Sequence, residues 1–112
     1  MRAEDLTRVR HMIEAAESAM RFVKGRSRPD LDGDEMLRFA LTRAIEILGE
    51  AASKVSPDGR AAIPEVPWAD VVGMRNRLVH AYFDVNLDIL WRTIDEAIPD
   101  LLARLKAGVA RG

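Results

Sequence analysis

Between Asp32 and Val55, apolar residues recur at helical spacing on an unusually wide face. They are Leu37, Ala40, Leu41, Ala44, Ile45, Leu48, Ala51, Ala52 and Val55. At ~100° of rotation per residue they cover nearly half of a helix circumference. One neighbouring helix cannot cover so broad a face. The segment is therefore expected to sit centrally, packed against two or more other helices. Asp32 followed three residues later by Glu35 resembles a capping box and marks where this helix begins.

The preceding segment has the same period. Leu6, Val9, Ile13, Ala16, Met20 and Val23 alternate spacings of three and four, predicting a helix from about Glu4 to Lys24 with Gly25 placed to end it. His11 falls on its outer side, near Ser18 and Phe22, and reads as a surface histidine. Arg26, Arg28 and Pro29 form a linker. The core these helices build is aliphatic, since aromatics are 5% of the chain. At 112 residues the chain reads as a single domain spanning 1–112. The 17 Lys and Arg against 18 Asp and Glu leave a net charge of −1 and no global basic footprint for nucleic acid. Cysteine is absent, which excludes disulfides and thiolate metal sites and fits a reducing, cytoplasmic setting. No apolar run approaches membrane-spanning length, and the charged N-terminus is no signal peptide.

Residues 56–67 carry three prolines and a glycine and are expected to form an irregular connection. Pro67 then suits the first turn of a third helix, where a missing N–H costs nothing. Trp68, Val71, Val72, Leu78 and Val79 make the apolar stripe of that helix, and Arg75 falls in its middle. An arginine facing a dry core is costly. Tyr82 lies seven residues on, above Arg75 if the helix continues. His80 lies five on, rotated about 140° away. A straight helix therefore cannot aim Arg75 and His80 at one small target. Either the helix ends or kinks near His80, or the two meet across a symmetric interface.

Each residue also has a bland explanation. Arg75 can bury its stem and wet its head. His80 can be a helix C-terminal residue favoured by the dipole. Tyr82 can be a core aromatic with its hydroxyl at the edge. On the outer face of the second helix, Phe39, Arg43, Glu46 and Glu50 line up at spacings of four, three and four. That line is either a solvated face with an Arg43–Glu46 pair or a contact face for a second subunit or for RNA. Phe39 favours contact. A fourth helix begins after Asn86, a good N-cap, with Asp88 favourable in its first turn. Leu87, Leu90, Ile94, Ala97, Ile98, Leu101 and Leu105 continue at helical spacing, and Pro99 predicts a kink or a fresh helix start. Gly108 and Gly112 are expected to bracket a fraying tail.

The run R-N-R-L-V-H-A-Y, Arg75 to Tyr82, resembles the R-x4-H-x-Y motif of HepT-like proteins of the HEPN superfamily. The resemblance extends to Gly49–Ala52 (GEAA), to Trp68–Asn76 and to the run from Tyr82 to Ile94. It implies an all-α, up-and-down bundle of four to five helices. It also implies a homodimer whose two arginine–histidine motifs meet in a cleft, so that Arg75 faces the cleft and no dry core. The activity implied is that of a metal-independent ribonuclease without cofactor, the toxin paired with a nucleotidyltransferase antitoxin of the MNT type. That antitoxin would adenylylate the motif tyrosine, here Tyr82.

The residues suit such chemistry. RNA is cleaved when its own 2′-hydroxyl attacks the adjacent phosphorus, which requires a base, an acid and charge stabilisation. Histidine titrates near neutrality, so His80 is the expected acid or base. Arginine grips phosphate oxygens with a planar fork, so Arg75 is expected to hold the phosphate. Asn76 is the expected support for His80 or substrate, and Arg77, pointing away from the Arg75 stripe, a candidate RNA contact. No convincing metal-ligand spacing gathers; His11 and His80 are far apart. A second reading stands beside this one, and the near-neutral net charge favours it: a non-catalytic module that docks a nucleotidyltransferase.

Overall fold

A computed structural model describes residues 1–81 and 84–112, and describes no side chain for residues 79–84. The described residues form an all-α bundle. Its rods are α1 (Ala3–Phe22), α3 (Glu35–Ser53), α5 (Trp68–Leu78) and a long C-terminal helix. Two short helices, α2 (Asp30–Gly33) and α4 (Pro57–Ala62), lie in the connections. As its wide face requires, α3 is central and packs against both α1 and α5, while α1 also packs on the C-terminal helix. Every residue of the expected α3 face is buried except Ala40, which is half-buried. Gly49 belongs to this face too. A Cβ there would lie 3.4 Å from the Val71 carbonyl and 3.6 Å from that of Val72, ordinary contact distances, so this part of α3 faces the α5 backbone directly.

The stripe on α1 is rotated from the expected one. Val9 and Ala16 are buried as anticipated, but Met12, Ala15 and Ala19 take the rest of the inner line, with Ile13, Met20 and Val23 packed at its edge. Asp5 shares the buried side, only 3% exposed. Gly25 adopts φ 76° and turns the chain out of α1. The cap of α3 differs by two residues from the sequence reading. Asp34, extended at φ −128°, accepts the Leu37 N–H at 2.9 Å, whereas Asp32 sits inside α2 and pairs with Arg28. Leu31, fully buried, lies in this extra turn of helix within the linker. The N–H of Leu37 is the main influence holding the Asp34 carboxyl below its usual range.

Residues 56–67 are more ordered than expected. Ser56 caps α4, its hydroxyl accepting the Gly59 N–H at 3.1 Å, and Pro57 occupies the first turn. Trp68 then closes the connection by donating its indole N–H to the carbonyls of Arg60 and Ile63, each at 3.1 Å. Beyond α5 two short strands, β1 (Val79–Ala81) and β2 (Asp84–Val85), pair antiparallel and add a ribbon to the helical plan.

Asn86 caps the last rod as expected, its side chain accepting the Ile89 N–H at 3.0 Å. The rod comprises α6 (Leu87–Arg92), a π-helical turn (Thr93–Ala97) and α7 (Ile98–Arg111). Pro99 cannot donate, and its ring crowds the carbonyl one turn earlier. The widened turn just before it absorbs that conflict, with the Ile98 N–H reaching back to Thr93. The tail does not fray at Gly108. That glycine is buried, and a Cβ there would lie 2.5 Å from Ile63. Among the described residues, no helix is long and apolar enough to cross a membrane.

Candidate functional site

The inner stripe of α5 is Trp68, Val71, Met74 and Leu78. Met74 therefore occupies the middle position that the sequence reading gave to Arg75. One residue on, ~100° around the helix, Arg75 is on the outer flank with its side chain 52% exposed. The cost of burying an arginine does not arise. The helix ends at Leu78, and His80 belongs to strand β1, so of the two alternatives a helix end near His80 is present. The side chain of His80 and the whole of Tyr82 lie outside the described residues.

Arg75 and Asn76 open onto a cleft of 290 Å³ between α5 and α3, whose α3 wall is Glu46, Gly49, Glu50 and Ser53. Glu46 is central to it. Its Oε1 lies 3.9 Å from Arg75 Nε and its Oε2 lies 3.6 Å from Arg43 Nη1. The expected Arg43–Glu46 pair is thus present, and it has a third member from another helix that the sequence reading did not include. Glu50, on the same wall, pairs with Lys54 at 3.5 Å. Arg77 turns back along α5 and donates to the Asp70 carbonyl at 2.9 Å. The start of α6 is tied to the linker that precedes α3. Arg28 reaches Asp88, in the first turn of α6, at 2.8 Å and Asp32 at 3.1 Å. These acids, Asp32 foremost, raise the arginine above its ordinary pKa.

Phe39 stands on the outer side of α3 with 64% of its surface exposed. It has apolar company that sequence reading missed. Phe22, Met36 and Ile47 are also exposed, and a groove of 430 Å³ runs between α1 and α3 past His11, Ser18, Phe22, Arg43 and Ile47. The available clue was the i, i+3, i+11 spacing of Met36, Phe39 and Ile47 on the side opposite the core. Arg43 belongs to this groove and, through Glu46, to the Arg75 cleft. Among the described residues, no three or more His, Asp or Glu side chains gather as metal ligands.

Fold and site together define an all-α bundle with an exposed arginine of the R-x4-H-x-Y run at an open cleft. The chain belongs to the HepT-like family: the sequence profile described as "Ribonuclease HepT-like" matches residues 12–107. It is 38% identical over 95 residues to "Probable ribonuclease HepT" of Thermococcus cleftensis, covering 85% of this chain and 86% of the relative. Two further relatives have names containing the word RNase. One, from Caldanaerobacter subterraneus subsp. tengcongensis, is 38% identical over 86% of each chain. The other, from Methanocaldococcus jannaschii, is 36% identical over 80% of this chain and 83% of its own. No solved structure gives a significant match.

Proposed function

We propose that this chain is a metal-independent endoribonuclease, the toxin of a toxin–antitoxin pair, acting in the cytoplasm as a single domain over residues 1–112. The observation that carries the reading is the R-x4-H-x-Y run in a HepT-like chain, with Arg75 and Asn76 exposed at an open cleft. In the reaction the 2′-oxygen bonds to phosphorus as its proton passes to a base, and the 5′-oxygen leaves and takes up a proton. His80 supplies this proton transfer, shared between two copies in a dimer. Arg75 holds the phosphate and its developing charge. Asn76 hydrogen-bonds His80 or the substrate.

The homodimer follows the surface that runs from Phe39 through Arg43 and Glu46 to Arg75. It offers exposed apolar side chains for burial beside the cleft. An MNT-type nucleotidyltransferase antitoxin neutralises the toxin by adenylylating Tyr82. The added phosphodiester and base would block RNA by charge and by volume.

The test is RNA incubated with purified protein in EDTA beside a His80→Ala control. Cleavage that survives chelation and leaves a 2′,3′-cyclic phosphate is expected. Activity lost in EDTA and restored by magnesium would refute the mechanism. The near-neutral net charge favours a second reading, a non-catalytic module that docks the nucleotidyltransferase. It would be supported by antitoxin binding without cleavage of any RNA.

A further inference from the structure

We propose that Glu46 is a positioning residue for Arg75: it holds the guanidinium by its Nε edge so that the two terminal nitrogens face the substrate phosphate. The inference rests on Arg75 being the phosphate-holding group. Of the three nitrogens of Arg75, it is Nε that faces Glu46, at 3.9 Å. At that distance the contact is an ion pair and not a hydrogen bond. It biases where the guanidinium points without occupying its fork. Bidentate phosphate binding uses a planar pair of N–H groups, and the terminal pair is left for it.

A lone carboxylate beside a phosphate site would repel the substrate. Here the other oxygen of Glu46 lies 3.6 Å from Arg43 Nη1, so two arginines flank one glutamate and the cluster keeps a net positive charge. Both arginine side chains are more than half exposed, whereas Glu46 is 33% exposed. The least exposed member is therefore the acid. The exposed Arg75 side chain samples many rotamers, and the ion pair with Glu46 narrows them towards the orientation in which the guanidinium meets the charge developing in the transition state.

The test separates this role from a structural one by two readouts. In RNA cleavage, Glu46→Gln should lower kcat by on the order of tenfold to 100-fold with KM unchanged or reduced. Glu46→Asp, which keeps the charge, should recover part of the loss. The Tm of both variants should stay near wild type, as should the activity of a Glu17→Gln control, which breaks the distant Glu17–Lys106 pair. Equal losses in Glu46→Asp and Glu46→Gln, or a raised KM with normal kcat, would overturn the proposal. The second readout needs no ribonuclease activity. The Arg75 Nε–Hε resonance, assigned by its disappearance in Arg75→Lys, should shift and exchange faster in Glu46→Gln. An unchanged resonance overturns the positioning role even if RNA is cleaved. If wild-type protein cleaves no RNA yet the resonance shifts, the ribonuclease reading fails while the Glu46–Arg75 contact stands.

Discussion

Asp5 on α1 accepts two hydrogen bonds from Ser56, from its N–H at 2.8 Å and from its hydroxyl at 2.6 Å, across 51 positions of sequence. The same hydroxyl accepts the Gly59 N–H, so one buried carboxylate anchors the start of α4 to the first helix. Hydrogen bonds from Ser56, the side-chain bond first, hold the Asp5 carboxyl below its usual range. Glu65 is held low chiefly by Arg111, and Asp34 chiefly by the Leu37 N–H.

A carboxylate whose folded pKa is depressed stabilises the fold above its unfolded pKa of about 4. That contribution is lost as pH falls through the lower folded value. Thermal stability is therefore expected to be flat in these three groups from pH 7 to about 5 and to decline below about pH 4. Asp5→Asn should lower Tm at pH 7, and its deficit relative to wild type should shrink towards pH 3. Melting curves by circular dichroism across this range check it. A deficit that is constant with pH would mean that the charge of Asp5 is not what matters.

Gly108→Ala should destabilise the protein by about 1–3 kcal/mol, the usual cost of overpacking a core. Its methyl would meet three carbons of Ile63 at 2.5 to 2.9 Å. Gly112→Ala, at the chain end, should be neutral. Combining Gly108→Ala with Ile63→Val, which removes the Cδ1 methyl, should recover part of the loss in urea denaturation. Equal stability of the two alanine variants would show that α7 does not pack there.

Arg75→Ala and His80→Ala should each abolish RNA cleavage while leaving the fold intact. The Arg75 side chain is half exposed and contributes little apolar burial. Arg75→Lys should also be poor, because a point charge loses the two-pronged grip on phosphate. Tyr82→Phe should keep most of the cleavage but escape modification. A tyrosine of pKa ~10 is a poor base near neutral pH. Intact mass after incubation with antitoxin and ATP, beside a cleavage assay, checks all four variants. AMP gained by Tyr82→Phe, or cleavage lost as fully as in His80→Ala, would assign the tyrosine a different role.

Phe39→Glu and Ile47→Asp should dissociate the proposed homodimer without unfolding the subunit. Both side chains are exposed on α3 and neither belongs to the core. Sedimentation at micromolar concentration should give a wild-type dimer and variant monomers with matching circular dichroism spectra. A wild-type monomer would argue against the dimer.

The helical plan was legible because it is written in period. The α3 face from Leu37 to Val55 stated its own central position, and Asn86 stated its own cap. Gly25 marked the end of α1 for the same reason, since a left-handed φ is a local requirement. The R-x4-H-x-Y run was equally a property of the string, and so was the choice between an α5 that ends or kinks near His80 and a meeting of the two residues across a symmetric interface. What the sequence could not decide was rotation about each helix axis to better than one residue. Met74 and Arg75 differ by ~100°. Met74 faces inward and Arg75 outward because α5 packs on α3 with Val71 and Leu78 on the same buried line. The α3 cap is Asp34 and not Asp32, which belongs to the short helix that buries Leu31. The contacts of Asp5 with Ser56 and of Glu46 with Arg75 join residues distant along the chain, and no local spacing encodes such pairs. Periodicity determines which faces are apolar; only packing, where volume must be filled and charge must find a partner, decides which residues meet.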